Sequence, residues 1–205
     1  MRVIAGIYGS RRLRTLKGRA LRPSSDRLRE TLFNILGPAV KDALFVDLFA
    51  GSGAVGIEAL SRGARRAIFV ENHAAGAALL RRNLESLGIA IASGGRVAHK
   101  VARTIEFAGG AELLEMNVGA ALGLLVARGA RADFVFADPP YADSRAYEDV
   151  LGALGDSDLL ASGGQAILEH SRRRVLPAIA GRLERARVTE QGDSALSFYR
   201  IVQAA

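Results

Sequence analysis

The chain of 205 residues has no cysteine and only three scattered histidines, His73, His99 and His170. Without cysteine, neither a disulfide framework nor a thiolate metal site can form, and the histidine positions do not give metal-ligand spacing. Apolar runs long enough to cross a bilayer are missing, and the first residues carry no apolar leader segment. We therefore expect a cytoplasmic protein without a metal or a membrane partner. Nothing in the sequence indicates an obligate dimer, so we expect a monomer.

Positive charge is concentrated at the beginning of the chain. Ten of the 28 Lys and Arg residues but only two acids, Asp26 and Glu30, occur in residues 1–41, a local charge of +8 against a total of +7. A near-neutral body with one cationic end favours contact with a polyanion at that end, although a solvated basic arm would look the same. The residues that we expect to contact phosphates are Arg2, Arg11, Arg12, Arg14, Lys17, Arg19 and Arg22.

The hydrophobic pattern changes after about residue 20. Residues 1–20 read as a basic hairpin, with strands over 2–7 and 12–16 and a turn at 8–10. Residues 21–205 read as one α/β domain, in which short apolar strands alternate with helices and the last two strands form a hairpin. Residues 89–118 do not show one clear pattern, and residues 96–101 and 112–118 are both candidate strands.

A glycine-rich turn follows the first apolar strand. The segment Asp47-Leu48-Phe49-Ala50-Gly51-Ser52-Gly53 has an acid at the end of the strand and glycines that let the backbone approach a ligand before a helix begins. The next strand ends at Glu71, where a carboxylate can accept hydrogen bonds from both ribose hydroxyls of a nucleoside cofactor. The pair of acids makes a purely structural turn a weak alternative.

A second motif, Asp138-Pro139-Pro140-Tyr141, follows a later strand. The two prolines fix the backbone, so the Pro139 carbonyl and the Asp138 carboxylate are two neighbouring acceptors. The Tyr141 ring offers a flat surface on which a base can stack. Two acceptors beside a ring suit a planar heterocycle that carries an NH2 group. In isolation, the tetrapeptide would fit a strand-ending turn with a buried tyrosine equally well.

Together the motifs resemble those of the nucleic-acid amino-methyltransferases, and in particular the RsmD family, which methylates guanine N2 in 16S ribosomal RNA. The resemblance includes residues 22–34 (RPSSDRLRETLFN), residues 51–64 (GSGAVGIEALSRGA) and the basic start of the chain. It implies a Rossmann-like fold with a mostly parallel seven-stranded sheet and an antiparallel C-terminal strand. It also implies S-adenosylmethionine as cofactor, and 16S rRNA in an assembled or assembling small subunit as substrate.

The resemblance also implies roles for individual residues. Those expected to hold the base are Asp138, Pro139, Pro140 and Tyr141. Those expected to bind the cofactor are Asp47, Phe49, Ala50, Gly51, Ser52, Gly53, Glu71 and Asn72, together with Arg27, Glu30 and Asn34, which would close over the methionine moiety or position the target. One feature departs from the family, which has an Asp near the cofactor's adenine. Neither Val101 nor Ala120, the two positions reached by counting, is acidic, so the alternatives are backbone groups with apolar packing, or Asn117 or a nearby Glu.

Three other functions remain open at this level. A DNA amino-methyltransferase acting on adenine or cytosine would carry the same tetrapeptide, although 205 residues leave little room for a DNA-recognition domain. A nicotinamide-type dehydrogenase does not explain Asp138-Pro139-Pro140-Tyr141. A non-catalytic RNA-binding protein on the same fold would be expected to have lost Asp138 or the glycines, and both are present.

Overall fold

A computed structural model of the chain describes residues 1–15, 26–92, 110–141 and 143–202. These residues divide into two compact units, Met1–Asn117 and Val118–Ala205. The predicted boundary at residue 20 lies outside the described residues, as do the candidate strand over 96–101 and the predicted phosphate contacts Lys17, Arg19 and Arg22. No helix in the described part of the chain is long and apolar enough to cross a membrane.

The first unit is a parallel α/β layer. Its strands lie in the order β3-β4-β2-β1, and every neighbouring pair is parallel. The strands β1 and β2 are buried along almost their whole length, which explains their near-continuous apolar sequences. The elements are α1 (Asp26–Leu36), a 3-10 turn (Gly37–Val40), β1 (Leu44–Asp47), α2 (Ala54–Ser61), β2 (Arg66–Val70), α3 (Ala74–Ser86), β3 (Ile91–Ala92) and β4 (Gly110–Leu114).

The second unit is a mixed sheet with two helices. Strands β5 and β6 are parallel, and β9, β8 and β7 then add in antiparallel pairs, in the order β5-β6-β9-β8-β7. The core between the helices and the sheet includes the fully buried Phe136, Tyr147 and Phe198. The elements are α4 (Val118–Ala127), β5 (Ala132–Ala137), α5 (Ser144–Gly155), β6 (Leu160–Ser171), β7 (Ile179–Ala180), β8 (Leu183–Gln191) and β9 (Ser194–Ile201).

The predicted fold class is confirmed, with differences in detail. Nine strands occur in the described residues, because the two-residue strands β3 and β7 add to the seven expected. The candidate strand over 112–118 is shorter than predicted: β4 ends at Leu114 and α4 begins at Val118.

The N-terminal hairpin is also shorter than predicted. Antiparallel pairing joins Arg2 to Arg12, and Val3 exchanges backbone hydrogen bonds with Ser10 and Arg11, but no regular strand forms over 2–7. The backbone between the paired residues instead bonds to side chains of α2. Val3 and Leu13 are buried in the same apolar cluster as Leu60 and Leu80. A two-stranded hairpin is marginal in water, and here it is stabilised by packing on the first unit.

Candidate cofactor-binding and base-binding sites

Asp47 ends β1 in a fully buried position. One of its carboxylate oxygens accepts a hydrogen bond from the Gly56 amide at 3.1 Å, in the first turns of α2. Burial, together with the nearby charge of Glu71, raises the pKa of Asp47 to about 7, although the bond from Gly56 acts in the opposite direction. Asp47 therefore ties β1 to α2 and remains protonated through mildly acidic pH.

Glu71 follows β2 and holds the glycine-rich turn by its backbone. Its two carboxylate oxygens accept hydrogen bonds from the amides of Gly51, at 2.8 Å, and His73, at 2.7 Å. Gly76 provides the room for this carboxylate, because a Cβ there would lie 2.7 Å from the Glu71 carboxyl carbon. Each oxygen keeps a further lone pair, so the half-exposed carboxylate can still accept from ribose hydroxyls.

Gly53, the second glycine of the turn, cannot be replaced by a larger residue without strain, for two reasons. Gly53 has a φ of 80°, and a Cβ there would lie 2.1 Å from a methyl group of the buried Leu80. Gly51 also has a positive φ, 51°, but nothing lies within 4 Å of the place a Cβ would take. Ala50 is buried, Phe49 and Ser52 are half-buried, and Asn72 is exposed. Part of the turn is therefore exposed, and its contact with a cofactor stays a prediction.

Asn83, a residue that the sequence did not single out, joins the turn to the N-terminal hairpin. The amide nitrogen of this buried side chain donates to the Ser52 carbonyl at 2.8 Å and to the Arg14 carbonyl at 3.1 Å. Its amide oxygen accepts from the Arg14 backbone at 2.9 Å. One side chain of α3 thus satisfies backbone groups of two segments that are far apart in sequence.

Glu58 and Ser61 of α2 hold the other end of the hairpin. The buried Glu58 carboxylate accepts hydrogen bonds from the amides of Ile4 and Ala5, at 2.7 and 3.0 Å, and from the Arg62 guanidinium at 2.7 Å. Ser61 bonds to the backbone of Ala5 and Tyr8. A Cβ on Gly6 would lie 1.8 Å from the Ser61 carbonyl oxygen, so the hairpin approaches α2 as closely as glycine allows.

The predicted phosphate contacts in the described residues all lie exposed on this docked hairpin. They are Arg2, Arg11, Arg12 and Arg14. Arg2 pairs with Asp26 at 3.6 Å, and Arg11 reaches the Ser86 carbonyl at 3.3 Å. The four described arginines therefore lie on a segment, residues 1–14, that is docked on the first unit. Its contact with phosphates stays a prediction.

Helix α1 separates its residues into two faces. Leu28, Leu32 and Phe33 are buried, and with them Arg29, which bonds to Asp26 at 3.0 Å and to the Arg2 carbonyl at 2.6 Å. The predicted cofactor or target residues occupy the opposite, exposed face, and they are Arg27, Glu30 and Asn34. The structure thus groups these three, and their roles stay predictions.

The loop after β4 bears on the residue expected near the adenine. The strand that lies next to β2 is β4, which ends at Leu114, so the following loop consists of Glu115, Met116 and Asn117. Ala120 belongs to α4, and Val101 lies outside the described residues. Glu115 pairs with Arg81 of α3, whereas the exposed Asn117 directly precedes α4. Asn117 and Glu115 therefore both lie in this loop, and a role in binding the adenine stays a prediction.

In the second unit, Asp138 directly follows β5. The register of β5 with β6 pairs Ala137 with Leu168, so Asp138 comes next to Glu169 at the carboxyl ends of two parallel strands. The Pro139 carbonyl lies 3.4 Å from the Tyr147 hydroxyl of α5, which donates to it. This contact uses one lone pair, so the carbonyl that the sequence identified as a free acceptor has one lone pair left for a ligand.

Tyr141 is fixed at its hydroxyl end. The hydroxyl lies 2.9 Å from the Ser194 hydroxyl and donates to the Glu169 carboxylate at 3.3 Å. Burial, assisted by the charges of Glu169 and Asp138, raises the pKa of Tyr141 to about 12, so the phenol stays neutral. The ring is half-buried. A ring held at its tip and exposed on part of its surface is suited to stacking.

Arg174, a second residue that the sequence did not reveal, fastens the motif from the turn after β6. Its guanidinium donates to the Tyr141 carbonyl at 2.8 Å and to the Ser144 hydroxyl at 3.0 Å. It also lies over the Tyr147 ring, 4.5 Å from the ring centre. Burial and the charge of Asp138 raise the pKa of Tyr147. Only the fold brings these residues together, so no local sequence pattern could have indicated them.

Two further features of the described residues concern metal binding and His170. No group of His, Asp or Glu side chains that could hold a metal is present in residues 1–15, 26–92, 110–141 and 143–202. His170, which the sequence places beside Glu169 and Ser171, is a buried strand residue that bonds to Ser197 at 2.9 Å and to the Ser171 carbonyl. Burial lowers the pKa of His170, in keeping with a neutral structural imidazole.

Known proteins share this fold and sequence along nearly the whole chain. Ribosomal RNA small subunit methyltransferase D of Escherichia coli K12 is 32% identical over 200 residues, which are 98% of this chain and 89% of that protein. YlbH of Bacillus subtilis 168 is 30% identical over 98% of both chains. The solved structure of yhhF from Escherichia coli aligns with a TM-score of 0.77 and 31% identity, over 98% of this chain and 97% of that one.

The fold is that of the Rossmann-like methyltransferases. S-adenosylmethionine is the methyl donor of this class. Within the class, the chain belongs to the family described as Conserved hypothetical protein 95, whose model matches residues 1–200. The resemblance to RsmD that rested on three motifs is thereby confirmed.

Proposed function

We propose that this protein transfers a methyl group from S-adenosylmethionine to the exocyclic N2 amine of a guanine in 16S ribosomal RNA. The observation that carries the proposal is the Asp138-Pro139-Pro140-Tyr141 motif, held at the carboxyl end of β5 by Glu169, Ser194, Tyr147 and Arg174. The Escherichia coli relative is named ribosomal RNA small subunit methyltransferase D, which supports a small-subunit rRNA as substrate. We infer that the enzyme acts in the cytoplasm on an assembled or assembling subunit. We also infer that it acts as a monomer.

The cofactor would be bound by the turn after β1 and by the ends of the neighbouring strands. Asp47, Gly51 and Gly53 border the place for its amino-acid end, and Glu71 accepts hydrogen bonds from the ribose. We assign the adenine to Asn117, because this residue occupies the loop after β4, and a side-chain amide can both donate and accept at a purine edge. Arg27, Glu30 and Asn34 would close over the methionine moiety or position the target.

The base would be held by two acceptors and one ring. The Asp138 carboxylate and the remaining lone pair of the Pro139 carbonyl accept from the two N–H bonds of the amine, while Tyr141 stacks on the base. Accepting both hydrogens draws the nitrogen lone pair out of conjugation with the ring and makes the amine a better nucleophile. Extrusion of the base is least costly from a loop, which favours an exposed RNA nucleotide.

The reaction is an in-line displacement. The amine nitrogen forms a bond to the methyl carbon as the carbon–sulfur bond breaks, and the electron pair of that bond stays on sulfur, which leaves as a neutral thioether. The methylated nitrogen then loses one proton to solvent. Because the sulfonium is a strong leaving group, positioning and polarisation of the amine supply most of the catalysis, and no strong base is required.

The test is transfer of labelled methyl groups to small ribosomal subunits from a strain that lacks this gene. Naked 16S rRNA and genomic DNA serve as parallel substrates, and the products are digested to nucleosides. N2-methylguanosine from the rRNA is the expected product. N6-methyladenine or N4-methylcytosine from DNA would overturn the substrate, and no transfer despite cofactor binding would favour a binding protein.

Three variants make the test specific for the motif. Asp138→Ala removes an acceptor, and we expect transfer to fall at least a hundredfold with cofactor binding unchanged. Asp138→Asn keeps one acceptor oxygen and should retain part of the activity. Asp149→Ala is the matched control, because it removes an exposed carboxylate of α5 in the same unit and should leave transfer unchanged. Equal activity of Asp138→Ala and Asp149→Ala would contradict the assigned role.

A further inference from the structure

Three consecutive arginines, Arg172 to Arg174, form the turn that follows β6. Because β6 runs parallel to β5, this turn lies at the same sheet edge as the end of β5. Its backbone is well fixed: the Arg174 amide donates to the Ser171 carbonyl at 2.8 Å, and the Arg172 amide to the Asp193 carbonyl at 2.8 Å. The Arg173 amide donates to the Ser171 hydroxyl at 3.3 Å. The arginines therefore sit on an ordered turn.

The third arginine connects this turn to the base-binding motif. Its guanidinium donates to the Tyr141 carbonyl at 2.8 Å and covers the Tyr147 ring. This contact spans from the turn after β6 to the residues that follow β5. The position of the turn relative to Tyr141 is thus set by a charged hydrogen bond, and Arg172 and Arg173 directly precede the residue that makes it.

The other two arginines have different surroundings. Both Arg172 and Arg173 are exposed, and their side chains are not needed to hold the turn, since their backbone amides make its hydrogen bonds. The nearby acids include Glu169, which accepts from Tyr141, and Asp193, which belongs to the turn between β8 and β9. A base that stacks on Tyr141 would bring its flanking phosphates to this sheet edge.

We propose that Arg172 and Arg173 form a phosphate-binding site for the RNA strand on either side of the target nucleotide. The proposal rests on the proposed function, because it takes Tyr141 as the surface on which the base stacks. Arg guanidinium groups match phosphate oxygens in geometry and charge. This site is separate in sequence from the basic hairpin of residues 1–14, and the charge distribution along the chain did not reveal it. Arg174 acts as a positioning residue for it.

The experiment measures binding of the full-length protein to naked 16S rRNA over a range of salt concentrations. The variant is the double substitution Arg172→Ala and Arg173→Ala. The matched control is Arg128→Ala with Arg131→Ala, which removes two exposed arginines at the opposite end of β5. Each phosphate contact to a single strand contributes about 0.7 to the slope of log affinity against log salt. We therefore expect the double variant to lose about 1.4 from that slope and the control to lose none.

Steady-state transfer to small subunits gives a second readout. We expect the KM for the subunit to rise about tenfold in the double variant, with kcat and the Kd for S-adenosylmethionine unchanged, because the phosphates are bound but do not react. Loss of kcat instead of a rise in KM would indicate a role in holding the motif and would overturn the proposal. Thermal unfolding is measured beside it, and an unchanged unfolding temperature verifies that the double substitution leaves the fold intact.

The outcomes separate the two proposals. If the wild type binds rRNA but methylates no guanine, the proposed function fails, and the salt slope still decides on the phosphate site. An unchanged slope in the double variant, or an equal loss in the control, overturns the site. If the double variant has a reduced slope with duplex DNA but not with rRNA, the ligand of the site is not RNA and the proposal is overturned. Failure of the wild type to bind rRNA would overturn the site as well.

Discussion

The turn after β1 and the motif after β5 are held in opposite ways. Backbone amides and two acids fix the turn: the buried Asp47 accepts from Gly56, and the half-exposed Glu71 accepts from Gly51 and His73. Side chains fix the motif, since Tyr141 bonds to Glu169 and Ser194. A site that presents backbone to its ligand must be shaped by glycine and local hydrogen bonds. A site that presents a ring and a carboxylate must be braced by side chains from other elements.

The largest effect should come from the packed glycine of the turn. Gly53→Ala adds a Cβ where φ is 80° and the buried Leu80 lies 2.1 Å away, so we expect a loss of about 3–4 kcal/mol in the free energy of unfolding. Gly51→Ala has the same type of backbone conformation but free space, so it should cost about 1 kcal/mol. Urea unfolding measures both. Equal losses would show that backbone conformation, rather than space, sets the requirement for glycine.

The next effect concerns the buried acid. Because the pKa of Asp47 in the folded state, about 7, lies above its ordinary value of 3.8, the folded state holds a proton that the unfolded state has lost between these values. Stability should therefore fall as pH rises from 4 to 7 and level off above 7. Relative to Asp47→Asn, which does not titrate, the wild type should lose about 2–3 kcal/mol between pH 5 and 8.

The measurement is denaturant unfolding of both proteins at the two pH values, because groups common to both cancel in the comparison. Parallel pH profiles for the wild type and Asp47→Asn would mean that Asp47 is ionised throughout. In that case Asp47 would hold the turn as a charged group, as Glu169 and Arg174 do at the motif.

At the motif after β5, Arg174→Lys tests whether the hydrogen bonds of Arg174 contribute to catalysis. Lysine keeps the charge but lacks the planar fork that reaches both the Tyr141 carbonyl and the Ser144 hydroxyl. We expect kcat to fall about tenfold, which corresponds to about 1.4 kcal/mol, with the Kd for S-adenosylmethionine unchanged. Arg182→Lys, an exposed arginine that holds the loop after α5, is the control. Loss of cofactor affinity in Arg174→Lys would mean that the substitution disturbs more than the motif.

The smallest effect should follow removal of the Tyr141 hydroxyl. Tyr141→Phe loses the bonds to Ser194 and Glu169 but keeps the ring, so we expect kcat to fall about threefold. Tyr141→Ala removes the stacking surface and should lower transfer at least a hundredfold. Single-turnover transfer rates separate the two. If the Phe variant were as inactive as the Ala variant, the hydroxyl rather than the ring would carry the role of this residue.

The same difference explains what the sequence could and could not predict. Asp47, Glu71 and the glycines are recognisable because the constraint on them is local: strand, turn and helix follow one another in the chain. Asp138 to Tyr141 is recognisable as a tetrapeptide, but Arg174 and Ser194 lie 33 and 53 residues beyond Tyr141, and only strand pairing brings them to it. Asn83 and Glu58 were missed for the same reason, since each bonds to backbone groups that are distant in sequence.

The adenine position shows another limit. The distance from Glu71 to Asn117 along the chain depends on the length of the segment before β4, and no rule of composition or periodicity sets that length. The pairing of β4 with β2 makes the loop of residues 115–117 the candidate for this position. The candidate comes from sheet topology, which counting residues cannot give, and its contact with the adenine stays a prediction.

The docking of the hairpin also has a consequence for the order of events during synthesis. Ile4 and Ala5 bond to Glu58, and Arg14 bonds to Asn83, which is translated 69 residues later. Until α3 has been made, residues 4–14 therefore lack the partners that fix them in the folded protein. During that interval the exposed arginines Arg11, Arg12 and Arg14 belong to a nascent segment that has not yet docked.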